Sequence, residues 1–165
     1  MKRNTKSSKV LHFCMLGIFL SFGLMVGRAS ADVMCAVTNI NPIVNNVAAT
    51  VIRGFFVTTD INQLVDIKYN AECSIAGVST NWLNTDIIID PAGRPEPFVC
   101  PPSNSDNALC SGNNTATHND GWVSAVTNCV TRIPTVGVHI VRVQVNPVPA
   151  GVTWRIDDQS LKCEN

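Results

Sequence analysis

Short runs of alternating apolar and polar residues recur along the chain, separated by turn-forming residues. Such runs are typical of the β-strands of sandwiches and barrels, and no segment shows a sustained helical stripe. In one run, Val141, Val143 and Val145 share a face, while Arg142 and Gln144 share the other. The pattern predicts strands over residues 33–38, 48–58, 64–71, 82–90, 121–127, 136–145 and 153–156 continuing to 161–163.

The first 31 residues depart from this pattern. Basic residues precede an apolar run over 10–26, and Ala29-Ser30-Ala31 follows as a small-x-small cleavage site. This order is that of a secretory signal peptide, and the apolar run is too short for a convincing membrane span. We expect cleavage after Ala31, which removes Cys14 and leaves residues 32–165 as a single extracytoplasmic β-sandwich domain.

Loss of the signal changes the charge balance. The whole chain has 12 basic and 12 acidic residues, and five basic but no acidic residues precede the cleavage site, so the mature chain has a net charge of −5. A chain with this net charge lacks the excess of positive charge that binds nucleic acid, and it lacks the basic patch that anionic membranes attract.

The mature chain keeps an even number of cysteines: Cys35, Cys73, Cys100, Cys110, Cys129 and Cys163. In an exported chain this number predicts three disulfides. A zinc site is disfavoured because no C-x-x-C pair is present, and a catalytic thiol because none is left over. Residues 91–120, rich in Pro, Asn, Ser and Gly, read as a long loop that Cys100 and Cys110 staple down.

Two sets of polar residues in predicted strands invite a functional interpretation. His139 is in phase with the inward valines, so it is either a metal ligand or general base, or a hydrogen-bonded packing residue; we favour packing. Asp157 and Asp158 are adjacent, so in a regular strand they point to opposite faces. The apolar phase slips between Ile156 and Leu161, which predicts a bulge or tight turn rather than a calcium site.

The segments AEC (71–73), WLNTDIIID (82–90), PPSNSDNALC (101–110), GVHIVRVQV (137–145) and WRIDDQSL (154–161) resemble a group of small bacterial secreted β-sandwich proteins without a settled function. The resemblance covers most of residues 48–161 and rests on strand ends and turns rather than on a catalytic motif. It implies a jelly-roll-like antiparallel sandwich. It also implies that Cys73 and Cys110, which match the usual cysteine positions of the group, are partners.

The pairing of the other four cysteines stays open. Terminal strands often lie close together in jelly-roll-like sandwiches, which favours a Cys35–Cys163 bridge and leaves Cys100 with Cys129. The main rival joins Cys100 to Cys110 within the loop. Six cysteines allow 15 pairings, and a real pair requires Cα atoms roughly 4.4–6.8 Å apart.

Two further groups are candidate sites. His118, Asn119 and Asp120, with Asp106, suggest a hydrolytic or metal site, but no nucleophile elbow, HExxH or carboxylate motif accompanies them, and a polar turn explains them better. Trp82, Trp122 and Trp154 suggest a sugar-stacking platform, although isolated strand tryptophans usually pack in the core.

The sequence therefore favours a secreted, non-catalytic binding or surface-structural domain with no cofactor or metal and with an unknown protein or glycan partner. A carbohydrate-binding module is the alternative, and it requires two or more tryptophans exposed on one face. A hydrolase is the third class. It requires His118 or His139 within hydrogen-bond reach of an acid and of a nucleophile such as Ser124 or Thr127.

Overall fold

Two antiparallel β-sheets form the described part of the chain. The computed structural model describes residues 35–90, 98–100, 107–114 and 121–165, and the predicted signal peptide lies outside these ranges. The strands are β1 (Cys35–Asn39), β2 (Ile43–Asn45), β3 (Ala49–Thr58), β4 (Gln63–Ile75), β5 (Trp82–Asp90), β6 (Phe98–Cys100), β7 (Ala108–Ser111), β8 (Val123–Ile133), β9 (Gly137–Val148) and β10 (Trp154–Glu164). The predicted all-β class is confirmed. None of the described segments is a helix that would cross a membrane.

Each sheet contains five strands. Sheet I has the order β1-β10-β4-β8, with β2 also paired to β10. Sheet II has the order β3-β9-β5-β6, with β7 also paired to β5. Most connections cross from one sheet to the other, and this order is compatible with the jelly-roll-like arrangement expected from the resemblance.

Each predicted strand is present in the structure, although most begin or end at other residues than predicted. Strand β5 matches residues 82–90, whereas β4, β8 and β9 each run longer than the apolar pattern indicated. The interpretation of residues 91–120 as loop was wrong in part, because β6 and β7 lie within it and pair with β5. Three and four residues are too few to show an alternation, so only the neighbouring strand reveals them.

The core lies between the sheets and follows from the alternation. Every second residue of β4, β9 and β10 faces inward, and the largest fully buried side chains include Trp154, Tyr69 and Phe56. Burial of this apolar surface is the main force that holds the two sheets together.

Three disulfides connect the strands. They are the Cys73–Cys110 pair that the resemblance implies and the two favoured pairs of the other four cysteines. Cys35–Cys163 joins β1 to β10, which are neighbours in sheet I, with Cα atoms 4.8 Å apart. Cys73–Cys110 and Cys100–Cys129 instead join sheet I to sheet II, with Cα separations of 6.3 and 5.9 Å. The rival pair Cys100–Cys110 is not formed.

The bridges make the two long sides of the sandwich different. We call the side formed by β8, β6 and β7 the stapled side, because both inter-sheet disulfides attach these strands. The side formed by β1 and β3 is the open side, where the described residues contain no bridge between the sheets. There the contact between the sheets is packing, such as that of Gly54 beside Leu161 and Val37.

The phase slip in the last strand is a β-bulge, as predicted. The register between β10 and β4 shifts between Asp157 and Ser160, and Asp158 has a left-handed backbone with φ of 44°. The Asp157 carboxylate accepts a hydrogen bond from the Asp158 backbone N–H at 3.0 Å and one from Arg155 at 3.2 Å. The two aspartates thus shape the strand, and Gln159 and Leu161 return to the core.

Candidate functional site

His139 lies on β9 with its ring in the core. It is fully buried, stacks on Phe56 with ring centroids 5.2 Å apart, and has Nε2 2.8 Å from Thr58 Oγ1. The prediction of a hydrogen-bonded packing histidine is confirmed. The same threonine oxygen lies 2.7 Å from the Thr135 carbonyl. Because that carbonyl only accepts, Thr58 donates its single proton there and accepts from the His139 N–H.

This environment favours the neutral ring. Burial lowers the pKa of the His139 imidazole, and a hydrogen bond to the Thr135 backbone opposes part of that shift. The proposed nucleophiles Ser124 and Thr127 lie on β8, in the other sheet. The structure therefore places the buried His139 beside Thr58, and not beside either of these hydroxyls.

The three tryptophans do not form one platform. Trp154 is fully buried, and its indole Nε1–H donates to the Val47 carbonyl at 3.1 Å, so its inclusion as a ligand-binding residue was wrong. Trp82 and Trp122 are both half-buried. Trp154 belongs to the core because burial of its large ring, with its polar atom bonded, is strongly stabilising.

Trp82 lies on the outer side of sheet II. Its neighbour Leu83 is fully buried, so the alternation directs Trp82 outward. It lines a shallow depression of about 270 Å³ together with Ser79, Ala108 and Ser111. One aromatic face beside two hydroxyls is a chemically reasonable seat for a single sugar ring.

Backbone contacts hold one wall of this depression. The Gly112 N–H donates to the Asn81 carbonyl at 2.8 Å, and the Asn114 N–H donates to the Gly77 carbonyl at 2.9 Å. A Cβ on Gly112 would lie 2.3 Å from the Val78 carbonyl oxygen, so only glycine fits at this position. These contacts fix the position of one wall beside Trp82.

Trp122 lies on the opposite face of the sandwich. The Arg155 guanidinium carbon is 4.7 Å from the Trp122 ring centroid, a cation–π contact. Arg155 is flanked by the buried residues Trp154 and Ile156, so it and Trp122 lie on the outer side of sheet I. One face of Trp122 is already covered by an arginine, and Trp82 is on the other outer surface.

The remaining polar candidates give no site that the structure describes. Asp106, His118, Asn119 and Asp120 lie outside the described ranges. Within residues 35–90, 98–100, 107–114 and 121–165, no group of three or more His, Cys, Asp or Glu side chains is placed to hold a metal ion. The six predicted cysteines are all in disulfides.

A surface that the sequence analysis did not single out lies on the outer side of sheet II. Phe55 is 68% exposed, Val57 46%, Val138 57% and Ile140 48%. The register places Phe55 directly opposite Ile140. Two residues further along β3, on the same face, Val57 lies opposite Val138. We call these four side chains the apolar patch; contiguous exposed apolar surface of this kind is typical of interaction sites.

The signal for this patch was present in the sequence. The run Gly54–Thr58 contains three consecutive apolar residues, so at least one must face outward in a strand. Val138 and Ile140 are out of phase with the inward valines of the same strand. What the sequence did not reveal is that β3 and β9 are neighbours, which places the four side chains together.

Comparisons with protein-family models, with curated proteins and with solved structures found no match for this chain.

Proposed function

We propose that this protein is an exported, non-catalytic binding domain that contacts its partner through the apolar patch. The observation that supports this function is the exposure of Phe55, Val57, Val138 and Ile140 in two adjacent cross-strand pairs. Leaving such side chains in water is unfavourable, by roughly 25 cal/mol for each Å² of apolar surface. A partner that covers them recovers this free energy.

The non-catalytic part of the proposal is supported by His139. Its buried ring is engaged with Thr58 and Phe56, so it lacks the access that a general base requires. We expect no turnover of generic ester, peptide or glycoside substrates by the purified protein. An activity abolished by His118→Ala or His139→Ala in a correctly folded variant would contradict this expectation.

Export is supported by the three disulfides, which persist in oxidising compartments, and by the N-terminal pattern. Mass spectrometry of the extracytoplasmic fraction should give a chain that starts at Asp32. Recovery of the chain from the cytosol with Met1 intact would show that the proposed export is wrong.

The apolar patch is tested by a pull-down that compares the wild type with Ile140→Lys. Binding of a partner through the patch should be lost when lysine replaces Ile140, because the charged side chain would have to be desolvated in the interface. Val126→Lys is the matched control, since Val126 is a 69% exposed strand residue on the stapled side. Equal capture by both variants would rule out the patch as the contact surface.

The platform of two exposed tryptophans that a carbohydrate-binding module was expected to need is not formed. A site for a single sugar ring is the second candidate, and the Trp82 depression favours it. A glycan array with the wild type and Trp82→Ala tests this function, because loss of the indole removes the stacking surface. Trp122→Ala is the control, since that ring lies on the opposite face. Binding that survives Trp82→Ala, or no binding at all, would exclude the depression as a sugar site.

A further inference from the structure

The outer face of sheet II carries two arginines side by side, directly next to the apolar patch. The register places Arg53 on β3 opposite Arg142 on β9, and the next outward pair along the same two strands is Phe55 with Ile140. Arg53 is exposed and Arg142 is half-buried. We call these two residues the arginine pair. Because the pair continues the rows of the apolar patch, one partner can contact both.

The charges of the arginine pair are only partly neutralised within the protein. Like charges directly opposite each other on neighbouring strands repel, so the pair lowers stability unless an anion lies beside it. Arg142 has one such contact, since its Nη2 lies 3.4 Å from Asp90 Oδ1. Asp86 is on β5, and strand β9 separates it from Arg53 by about 10 Å. Within the described ranges, no ion pair involves Arg53.

We propose that the partner of the apolar patch places a carboxylate on the arginine pair. The occupant of this surface is thus a polypeptide segment in which an aspartate or glutamate neighbours apolar side chains. A guanidinium group suits this role, because it donates two parallel hydrogen bonds to one carboxylate and keeps its charge at any physiological pH. This inference rests on the proposed function, since it adds a charge requirement to the same surface.

The charge of the whole chain limits how acidic this partner is. Residues 32–165 have a net charge of −5, so their long-range field repels a polyanion such as nucleic acid or an anionic membrane. A small anion is also disfavoured, because the exposed Arg53 lies on a strand surface, whereas small-molecule sites bury most of their ligand in a cleft. One carboxylate among apolar side chains fits best, since it adds short-range attraction at the arginine pair and little long-range repulsion.

A role in binding and a role in stability predict opposite effects of Arg53→Gln. This change removes the repulsion within the arginine pair, so the free energy of unfolding should stay the same or rise slightly. Binding of an acidic partner should nevertheless become weaker. Arg132→Gln is the matched control, because Arg132 is an exposed arginine on β8, in the other sheet, and its removal changes the net charge equally.

A phage-displayed library of random peptides, selected on the purified, disulfide-intact protein, provides the test. Peptides that bind the wild type but not Ile140→Lys use the apolar patch. These peptides should be enriched in aspartate or glutamate next to aromatic or aliphatic residues. Dissociation constants of synthetic copies are then measured by fluorescence anisotropy, with the fold and the urea midpoint of each protein variant checked first.

Arg53→Gln should weaken the acidic peptides by about three- to tenfold, the effect of losing one partly desolvated charge pair, and Arg132→Gln should leave them unchanged. Replacing the carboxylate of a peptide by its amide should weaken binding to the wild type by a similar factor. The same replacement should have little further effect on binding to Arg53→Gln, because the interaction is already lost. Salt should reduce the difference between the wild type and Arg53→Gln.

Three results would overturn this inference: patch-dependent peptides without an acidic residue, acidic peptides that bind Arg53→Gln as tightly as the wild type, or a difference that salt does not change. In each case the peptides still depend on Ile140, so the proposed function stands and only the carboxylate requirement is wrong. If the selection yields no peptide that Ile140→Lys loses, both the proposed function and this inference are wrong.

Discussion

The two long sides of the sandwich are built differently. On the stapled side, Cys73–Cys110 and Cys100–Cys129 join the sheets. On the open side, β1 and β3 face each other, and within the described residues the contact between the sheets there is packing. The disulfide near this side, Cys35–Cys163, lies within sheet I. The apolar patch is also on the open side. Covalent closure thus lies at one side, and the surface of the proposed function lies at the other.

The largest effect is expected from the disulfides. The pairs close loops with sequence separations of 128, 37 and 29 residues, and the chain-entropy picture assigns about 5, 4 and 4 kcal/mol to them. Replacing Cys35 and Cys163 by alanine should therefore lower the free energy of unfolding most, as measured by urea denaturation. All six cysteines are buried, so the loss of packing on replacement by alanine should be similar for each disulfide pair. A greater loss from Cys73→Ala with Cys110→Ala would show that closure between the sheets matters more than loop length.

The packing of the open side is tested next. A Cβ on Gly54 would lie 3.3 Å from Leu161 Cδ2, 3.4 Å from Val37 Cγ2 and 3.5 Å from Val141 Cγ1. The branched side chain of Gly54→Val therefore overfills this space, and we expect a loss of about 1–3 kcal/mol in the free energy of unfolding. Thr50→Val, an exposed change on the same strand, is the control and should change stability by less than about 0.5 kcal/mol. A neutral Gly54→Val would mean that the sheets are not in close contact here.

His139 should make the open side sensitive to acid. Its folded pKa lies below the unfolded value of about 6.5, so the unfolded chain binds more protons between these two values. Stability from this residue is complete above the unfolded pKa and decreases as the pH falls toward the folded pKa. Urea midpoints measured from neutral to mildly acidic pH should decline more steeply for the wild type than for His139→Gln. Identical slopes would show that protonation of His139 does not lower the free energy of unfolding.

The smallest effect is expected on the outer face of sheet I, on its central strands β4 and β10. Lys68 bonds to Glu164 at 3.0 Å and to Asp66 at 3.1 Å, and these contacts raise the pKa of its ammonium group. Lys162 forms a further ion pair with Glu164. These groups are solvated, so salt and side-chain entropy offset most of the attraction. Lys68→Met should leave the melting temperature almost unchanged at low and at high salt, and a clear decrease that salt abolishes would contradict this.

Much of the fold was predictable because strand alternation is a local property. The inward valines of β9, the exact bounds of β5 and the bulge in β10 all follow from neighbours in the chain, since adjacent strand residues face opposite sides. The candidate site was less predictable. The role of Trp82 depends on Ser111, 29 positions later, and the apolar patch depends on the pairing of β3 with β9.

By itself, the sequence determined the all-β class, the inward faces of β9 and β10 and the even number of cysteines in residues 32–165. It did so because polarity and spacing act between near neighbours, whatever the partner strand. Only the tertiary structure decided that Trp154 is core while Trp82 is surface, that His139 meets Thr58, and that β3 is an edge with an apolar face. These properties depend on which strands lie side by side, and burial of apolar surface over the whole molecule selects that arrangement.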